Sequence, residues 1–335
     1  MQKRLRIALA GAGNISYHHL IAWQRSGLAD VVAVCDPDEG RAHARAAEFA
    51  LPACYTDYAE MLERESPDAV DIATPMDTHA QHVLAANALG VHALCQKPLC
   101  PTLAEARALV DAVNPRSRLM VHENWRFRPW YRRVATWLLA GRLGNVQQVR
   151  LSWLNSGLLP DTRGLRPIIA KQPYMGRLQR LMVAEVLIHH LDVLRWLFGP
   201  LRIESAVLRH GCEAVSGESS ATIVLVAANG AEVLLEGDMM AVGHPARPQD
   251  MLEITGERGR ISLQSSTLVL DSERPERQTF DLDAGYQASF DAAIAHFVEG
   301  LQSGRDFETS PSDNLETLKL VEAVYDASGH RRAGS

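Results

Sequence analysis

The sequence predicts an α/β fold in two parts. An amino-terminal domain, residues 1–123, is built on a parallel sheet, and a carboxy-terminal α+β domain, residues 124–335, has an open, mostly antiparallel sheet. Three observations carry that prediction. Up to residue 123, short β-branched runs alternate with longer helix-forming segments, the grammar of a parallel sheet covered on both faces. Beyond that point strands follow one another with few helices between them. The dipeptide Asn229-Gly230 in ATIVLVAANGAEVLLEGD lies between two β-rich runs, a strong hairpin signal, and hairpins make antiparallel sheets.

In the first domain the strands are RIALAG, DVVAVCD, AVDIAT, VHALCQ and RLMVHE, and segments such as YHHLIAWQRSG and EGRAHARAAEFA supply the helices. The second domain opens with a helix, PWYRRVATWLLAGRLG, that starts at Pro129 and ends at a glycine, as helix capping favours. Strands are then expected at 145–154, 202–210, 219–228, 231–238, 250–256, 259–264, 267–271 and 276–282, and helices near 183–198, 287–303 and 312–328. Gly, Pro and Arg between 157 and 177 mark a long loop, a common place for ligand contacts.

Composition narrows the function classes. A chain of 335 residues exceeds what one hydrophobic core usually serves. Its 47% hydrophobic and 22% charged residues are those of an ordinary soluble protein, neither disordered nor fibrous. A formal net charge of -6, with no basic run beyond short pairs, gives no footprint for nucleic acid. No apolar run is long enough to span a bilayer, and MQKRLRIALAGAGN enters a strand pattern without a signal-peptide cleavage site, so a cytoplasmic protein is expected. Cys35, Cys54, Cys95, Cys100 and Cys212 are odd in number and include no Cys-x-x-Cys pair, which argues against a disulfide framework and a structural zinc site.

The motif IALAGAGNISYHHLIAW sets Gly11, Gly13 and Ser16 at a strand-to-helix junction, with Asn14 and Ile15 opening the helix. The first glycine permits the tight turn, the second lets the backbone approach a pyrophosphate, and the helix terminus offers free N–H groups. Asp36 ends the second strand in VVAVCDPDEG, about 20 residues on, where an acid accepts from the ribose hydroxyls of NAD. A glycine turn with a helix-capping aspartate is the plainer alternative; the order strand, turn, helix, strand, acid favours a dinucleotide site. Asp36 would repel a 2′-phosphate and Pro37 follows it, so NAD is favoured over NADP, while Arg41 leaves NADP open.

The stretch HALCQKPLC puts Lys97 and Pro98 directly after a strand, at the carboxyl edge where open parallel sheets bind ligands. A lysine there would sit beside the nicotinamide; the alternative is a lysine that ends a strand and reaches water. A second constellation favours the first reading. In VAEVLIHHLDVLRWLFG a period of about 3.6 residues puts Leu187, Leu191, Leu194 and Phe198 on one stripe and Glu185, His189, Asp192 and Trp196 on the opposite one. So apolar a helix should be largely buried, which directs its polar stripe toward a polar cleft. A metal site would need a further ligand cluster, and none stands out, His79 and His82 lying in the other domain. A polar cluster satisfied internally is the other alternative. His190, off the stripe, is expected to pack or cap.

GAGNIS with Asp36, DIATPMDTHAQHVLAANALGVHALCQKPL, HENWRFRPW and EVLIHHLDVLRWLFG together resemble the glucose-fructose oxidoreductase, inositol dehydrogenase and MocA family over essentially the whole chain. The resemblance implies a Rossmann domain, then an α+β domain whose open sheet mediates homodimers or homotetramers, and oxidation or reduction of a sugar or polyol carbon with NAD or NADP. The family's Glu-Lys-Pro motif falls on Gln96, Lys97 and Pro98, with Lys97 touching substrate and assisting proton transfer. Its Asp-x-x-x-His pair falls on Glu185 and His189, with His189 the acid/base. Thr74, Pro75 and His79 match a loop lining the cofactor, and Asn124 an asparagine near the nicotinamide. Two departures stand out: Gln96 replaces the usual glutamate and Glu185 the usual aspartate. Glutamine keeps hydrogen bonding but cannot stabilise a cation. Gln-Lys-Pro combined with HENWRF is similar to a branch that includes dehydrogenases of apiose-like pentoses.

The expected reaction is reversible hydride transfer between a nicotinamide and a carbinol or hemiacetal carbon. His189 would remove the hydroxyl proton, as a side chain with an ordinary pKa of about 6.5 suits neutral pH, and Lys97 would stabilise the developing alkoxide. Glu185 and Asp192 would orient His189 or bind hydroxyls. Arg126, Tyr174 and the 155–175 loop are candidate sugar contacts, since a buried hydroxyl needs partners. Two readings on the same fold stay open, a non-catalytic NAD-linked sugar sensor and an NAD-dependent glycosidase. Retention of Lys97 and His189 argues against the sensor.

Overall fold

The computed structural model describes residues 4–329. The first three residues, where the reading of the amino terminus begins, and those from 330 on, the far end of the expected second domain, lie outside the described residues. The chain folds into two compact units, one running to Arg128 and taking in Asp283–Leu318, the other made of Pro129–Leu282 and the chain from Lys319 on. This departs from a contiguous division at 123/124. The cause is a late helix whose Phe290, Ala293, Ile294, Phe297 and Val298 share one core with Ile7, Trp23, Leu94 and Met120. Apolar periodicity shows that a helix buries a face, not which sheet receives it.

In the first unit, β1 (Leu5–Ala10), α1 (Asn14–Ser26), β2 (Ala29–Cys35), α2 (Glu39–Phe49), β3 (Cys54–Tyr55), α3 (Tyr58–Glu65), β4 (Ala69–Ile72), α4 (His79–Ala88), β5 (His92–Gln96), α5 (Leu103–Ala112) and β6 (Leu119–His122) alternate, the two-residue β3 being an addition to the five expected strands. All strand pairs are parallel, in the order β3-β2-β1-β4-β5-β6. Strand order therefore reverses between β1 and β4. Helices α2, α3 and α5 start where short polar side chains hold their free amides: Asp38 accepts from the Arg41 N–H, Asp57 from Glu60 and Thr102 from Glu105.

The second unit begins with α6 (Pro129–Leu139), β7 (Val146–Leu154), α7 (Pro167–Lys171), α8 (Ile188–Phe198) and β8 (Leu201–Arg209). Strands β9 (Ser220–Ala227), β10 (Glu232–Asp238), β11 (Gln249–Gly256), β12 (Gly259–Gln264), β13 (Thr267–Ser272) and β14 (Glu276–Thr279) follow. They form one sheet, β14-β13-β12-β11-β7-β10-β9-β8, antiparallel except for the β7–β10 pair. The hairpin at Asn229-Gly230 joins β9 to β10, with Gly230 at φ 86. The chain ends in α9 (Leu282–Ser303) and α10 (Pro311–Ser328).

Three boundaries differ from expectation. Strand β14 stops at Thr279 and α9 already begins at Leu282; Gly285 disfavours a helix by about 1 kcal/mol, but it is buried within α9, where packing overrides propensity. The 157–177 segment holds α7 and a 3₁₀ turn, Pro173–Arg177, inside the expected loop. The helix expected over 183–198 opens as a π-helical turn, Met182–Leu187, before α8. Such wide turns are rare and cluster at functional sites.

Burial pushes His79, His82 and His92 below the ordinary histidine value, desolvation being the largest cause for each. The unfolded chain therefore takes up protons that the folded chain resists. The stability these groups confer is present above about pH 6.5 and is lost as pH falls toward their folded values. The thermal midpoint is expected to drop between about pH 7 and pH 5, and His82→Gln to flatten that slope. A slope that His82→Gln leaves unchanged contradicts the assignment.

Candidate functional site

Open parallel sheets bind ligands at the carboxyl ends of their strands where the order reverses. Here that point lies between β1 and β4, with β5 beside β4. Gly11, after β1, has φ +96, and a Cβ there would stand 2.5 Å from the Ala73 carbonyl oxygen, whereas nothing lies within 4 Å of one on Gly13. Gly11 is thus required by the turn, and Gly13 leaves an open face at the start of α1, where Asn14 is exposed and no side chain caps the helix. Ser16, in place of a third glycine, fits because its hydroxyl donates to the Gly13 carbonyl at 2.6 Å. Gly11→Ala is expected to destabilise the fold by about 2–4 kcal/mol, from left-handed strain plus overpacking. An unchanged denaturation midpoint contradicts this.

Asp36 ties this loop to the end of β2. Its Oδ2 accepts the Ala12 N–H at 2.9 Å, and its Oδ1 accepts from the Asp38 N–H at 2.9 Å and the Arg41 guanidinium at 3.0 Å. Two lone pairs per carboxylate oxygen leave Oδ2 room for a ribose hydroxyl. Arg41, which left NADP open, is engaged by the carboxylate that would repel a 2′-phosphate. An open face at Gly13, an uncapped helix start and an acid at the end of β2 fit NAD.

After β4, Thr74 is partly exposed and Pro75 exposed. His79 requires a correction: it is 1% exposed, and its ring nitrogens face the Pro98 and Thr74 carbonyls, each at 2.9 Å. It ties the Thr74 loop to the Lys97–Pro98 turn rather than lining a cofactor. At the end of β5 Gln96 is buried, and Lys97, the next residue, is partly exposed. The Gln96 Oε1 accepts the Lys97 backbone N–H at 3.2 Å, while its Nε2 faces His19 at 2.7 Å and His122 at 3.2 Å. Sequence reasoning missed His19 and its partner Asp71. The available signal was an acid inside AVDIAT, a strand otherwise apolar on both faces.

Asn124 is 3% exposed, and its Nδ2 donates to the Ser289 hydroxyl at 2.7 Å. Arg126 also requires correction. It is 2% exposed, bonded to the Glu308 carbonyl at 3.0 Å and paired with Asp313 at 2.8 Å. It anchors the start of α10 and is not a sugar contact.

In the second unit, Glu185 lies in the π-helical turn and His189 in the first turn of α8. The single 3.6-residue stripe expected to carry both is therefore broken between them. Glu185 is partly exposed and accepts from the Tyr174 hydroxyl at 3.0 Å. His189 is 7% exposed. Asp192 is 1% exposed and lies 3.8 Å from Arg195 on the next turn. His190 packs as expected, its Nε2 at 2.9 Å from Asp250, which also accepts from the Tyr131 hydroxyl at 2.9 Å. Among the described residues no group of three or more His, Cys, Asp or Glu is arranged to hold a metal ion, and no helix is long and apolar enough to cross a membrane.

An oxidoreductase family's NAD-binding Rossmann fold matches residues 5–123, and the same family's C-terminal alpha/beta domain matches residues 138–333. The chain belongs to the Gfo/Idh/MocA family. As a Gfo/Idh/MocA member it is an oxidoreductase with NAD as cofactor. A D-apiose dehydrogenase of Paraburkholderia graminis is 35% identical over 96% of this chain and 87% of its own length. An inositol 2-dehydrogenase of Acidothermus cellulolyticus is 28% identical over 97% and 93%. Among solved Gfo/Idh/MocA-like structures, an oxidoreductase from Agrobacterium radiobacter in complex with NAD+, L-tartaric acid and magnesium superposes with a TM-score of 0.90, at 29% identity over 98% of this chain and 97% of that one.

Proposed function

We propose that this chain is a sugar dehydrogenase that moves a hydride between NAD and a carbinol or hemiacetal carbon of an aldose or polyol, with an apiose-like pentose as the first substrate to test. The observation that carries the reading is the place of Lys97, immediately after β5 and beside the point where strand order reverses, in a chain 35% identical to a D-apiose dehydrogenase. NAD supplies the hydride acceptor at C4 of its nicotinamide. The Lys97 ammonium donates to the reacting oxygen and stabilises its alkoxide character. His189 accepts the hydroxyl proton, which leaves as the carbon is oxidised. Glu185, held by the Tyr174 hydroxyl, accepts from a further sugar hydroxyl, so that a buried polar group of the substrate finds a partner. Action in the cytoplasm and self-association through the β8–β14 sheet belong to the same reading.

Following NADH absorbance across aldoses, polyols and lactones tests it. NADH formed from at least one aldose or polyol is the expected result. Free sugar released from a glycoside without net NADH would replace the reading with a glycosidase, and NAD binding with neither reaction would replace it with a sensor.

A further inference from the structure

Beneath the Gln96–Lys97 turn lies a chain of buried polar groups that the proposed chemistry does not use. Asp71 and His19 are 0% exposed, Trp23 1% and Gln96 9%. Asp71 Oδ2 faces His19 Nδ1 at 2.8 Å and accepts the Trp23 indole N–H at 2.7 Å. An indole nitrogen only donates, so Oδ2 acts as an acceptor, and His19 Nδ1 completes the contact as a donor.

The other end fixes the remaining directions. Because Gln96 Oε1 accepts the Lys97 N–H, the NH₂ of the same amide must be the group that faces His19 Nε2 at 2.7 Å and His122 Nδ1 at 3.2 Å. An NH₂ has no acceptor capacity. His19 Nε2 therefore presents a lone pair, and the donors run one way: Lys97 N–H to Gln96, Gln96 N–H to His19, His19 Nδ1–H to Asp71.

We propose that Asp71 and His19 are positioning residues for the Gln96–Lys97 turn. Asp71 holds His19 as the neutral, Nδ1-protonated imidazole, and that tautomer requires an amide rather than a carboxylate at position 96. A carboxylate there could still accept from the Lys97 N–H, but it would set an oxygen lone pair against the Nε2 lone pair among buried groups. A proton must then lie between the two atoms, and with Asp71 on Nδ1 to balance the charge His19 is the group that takes it up. The titratable groups packed around His19 are Asp71 from β4, His122 from β6 with ring centroids 4.3 Å away, and Cys95 of β5 beside Asp71; α9 contributes Phe290 at 5.3 Å, and His18 precedes it on α1. The effect on turnover rests on the reading of Lys97 given above, whereas the tautomer does not.

The test uses the full chain labelled with ¹⁵N-histidine, His19 being assigned by the signals lost in His19→Gln. At neutral pH the expected state is a proton on Nδ1 and none on Nε2; a proton on Nε2 overturns the proposal. In Gln96→Glu, His19 is expected to carry both protons, and kcat to gain an alkaline limb absent from the wild type: activity present at low pH and lost as rising pH removes the second proton. His19→Leu is expected to lower kcat about 10- to 100-fold by loosening the turn, and His19→Gln, whose amide oxygen can accept from Gln96, to restore most of that loss. A Gln96→Glu pH profile identical to the wild type overturns the proposal even where His19→Leu fails to fold. If Lys97→Ala left turnover normal, the catalytic reading would fail while the tautomer measurement still stood on its own.

Discussion

Lys97→Ala is expected to lower kcat by about 10²–10³-fold, the effect of removing a positioned donor from a developing oxyanion, while NAD affinity stays close to wild type. The two readouts separate because, on the reading proposed above, the dinucleotide would be held mainly from elsewhere, at the Gly11–Gly13 turn, the start of α1 and Asp36. Alanine also keeps the backbone N–H that Gln96 Oε1 accepts at 3.2 Å, so the turn is not undone with the side chain. Lys97→Arg is expected to recover little, since a planar fork does not replace a compact ammonium. Single-turnover absorbance of NADH together with fluorescence titration of NAD checks both halves. Turnover within a few-fold of wild type would remove Lys97 from the chemistry.

His189→Ala is expected to lower kcat by about 10²–10⁴-fold, the usual contribution of a positioned general base. The loss should shrink as pH rises, because hydroxide then takes the role of the missing imidazole. A fixed deficit at every pH would mean that His189 shapes the site without moving a proton. Its setting makes the distinction worthwhile: His189 is 7% exposed, at the start of α8 directly after a π-helical turn, and a structural histidine of the same helix, His190, sits one residue on, bound to Asp250 at 2.9 Å. His190→Ala is therefore the control that reports damage to α8 alone.

Much of the fold was legible because its signals are local. The glycines at 11 and 13, the Asn229-Gly230 turn and Pro129 each act within a few residues, and each appears where expected. What escaped was set by distant partners. Arg126 looked like a sugar contact until Asp313, far along the chain, occupied its guanidinium at 2.8 Å. His79 looked like part of a cofactor loop, but carbonyls of Thr74 and Pro98 hold its ring. The stripe joining Glu185 to His189 assumed one helical period, and a π-helical turn is invisible to that assumption. Gln96 stood out as a departure, yet its reason lay in His19 and Asp71, and strand pairing, not sequence proximity, brings β4 and β5 together.

The return of Asp283–Leu318 to the first unit also dictates when that unit can be finished. A ribosome that has released residue 123 has made every strand of the parallel sheet, but not the Phe290, Ile294 and Phe297 side chains that share a core with Ile7, Trp23 and Met120. Until some 170 further residues have emerged, that apolar surface has no cover of its own and is open to misassociation. The nucleotide half of the protein is thus first to be started and among the last to be closed, and a gene fragment cut at the apparent domain boundary would encode a sheet without its lid.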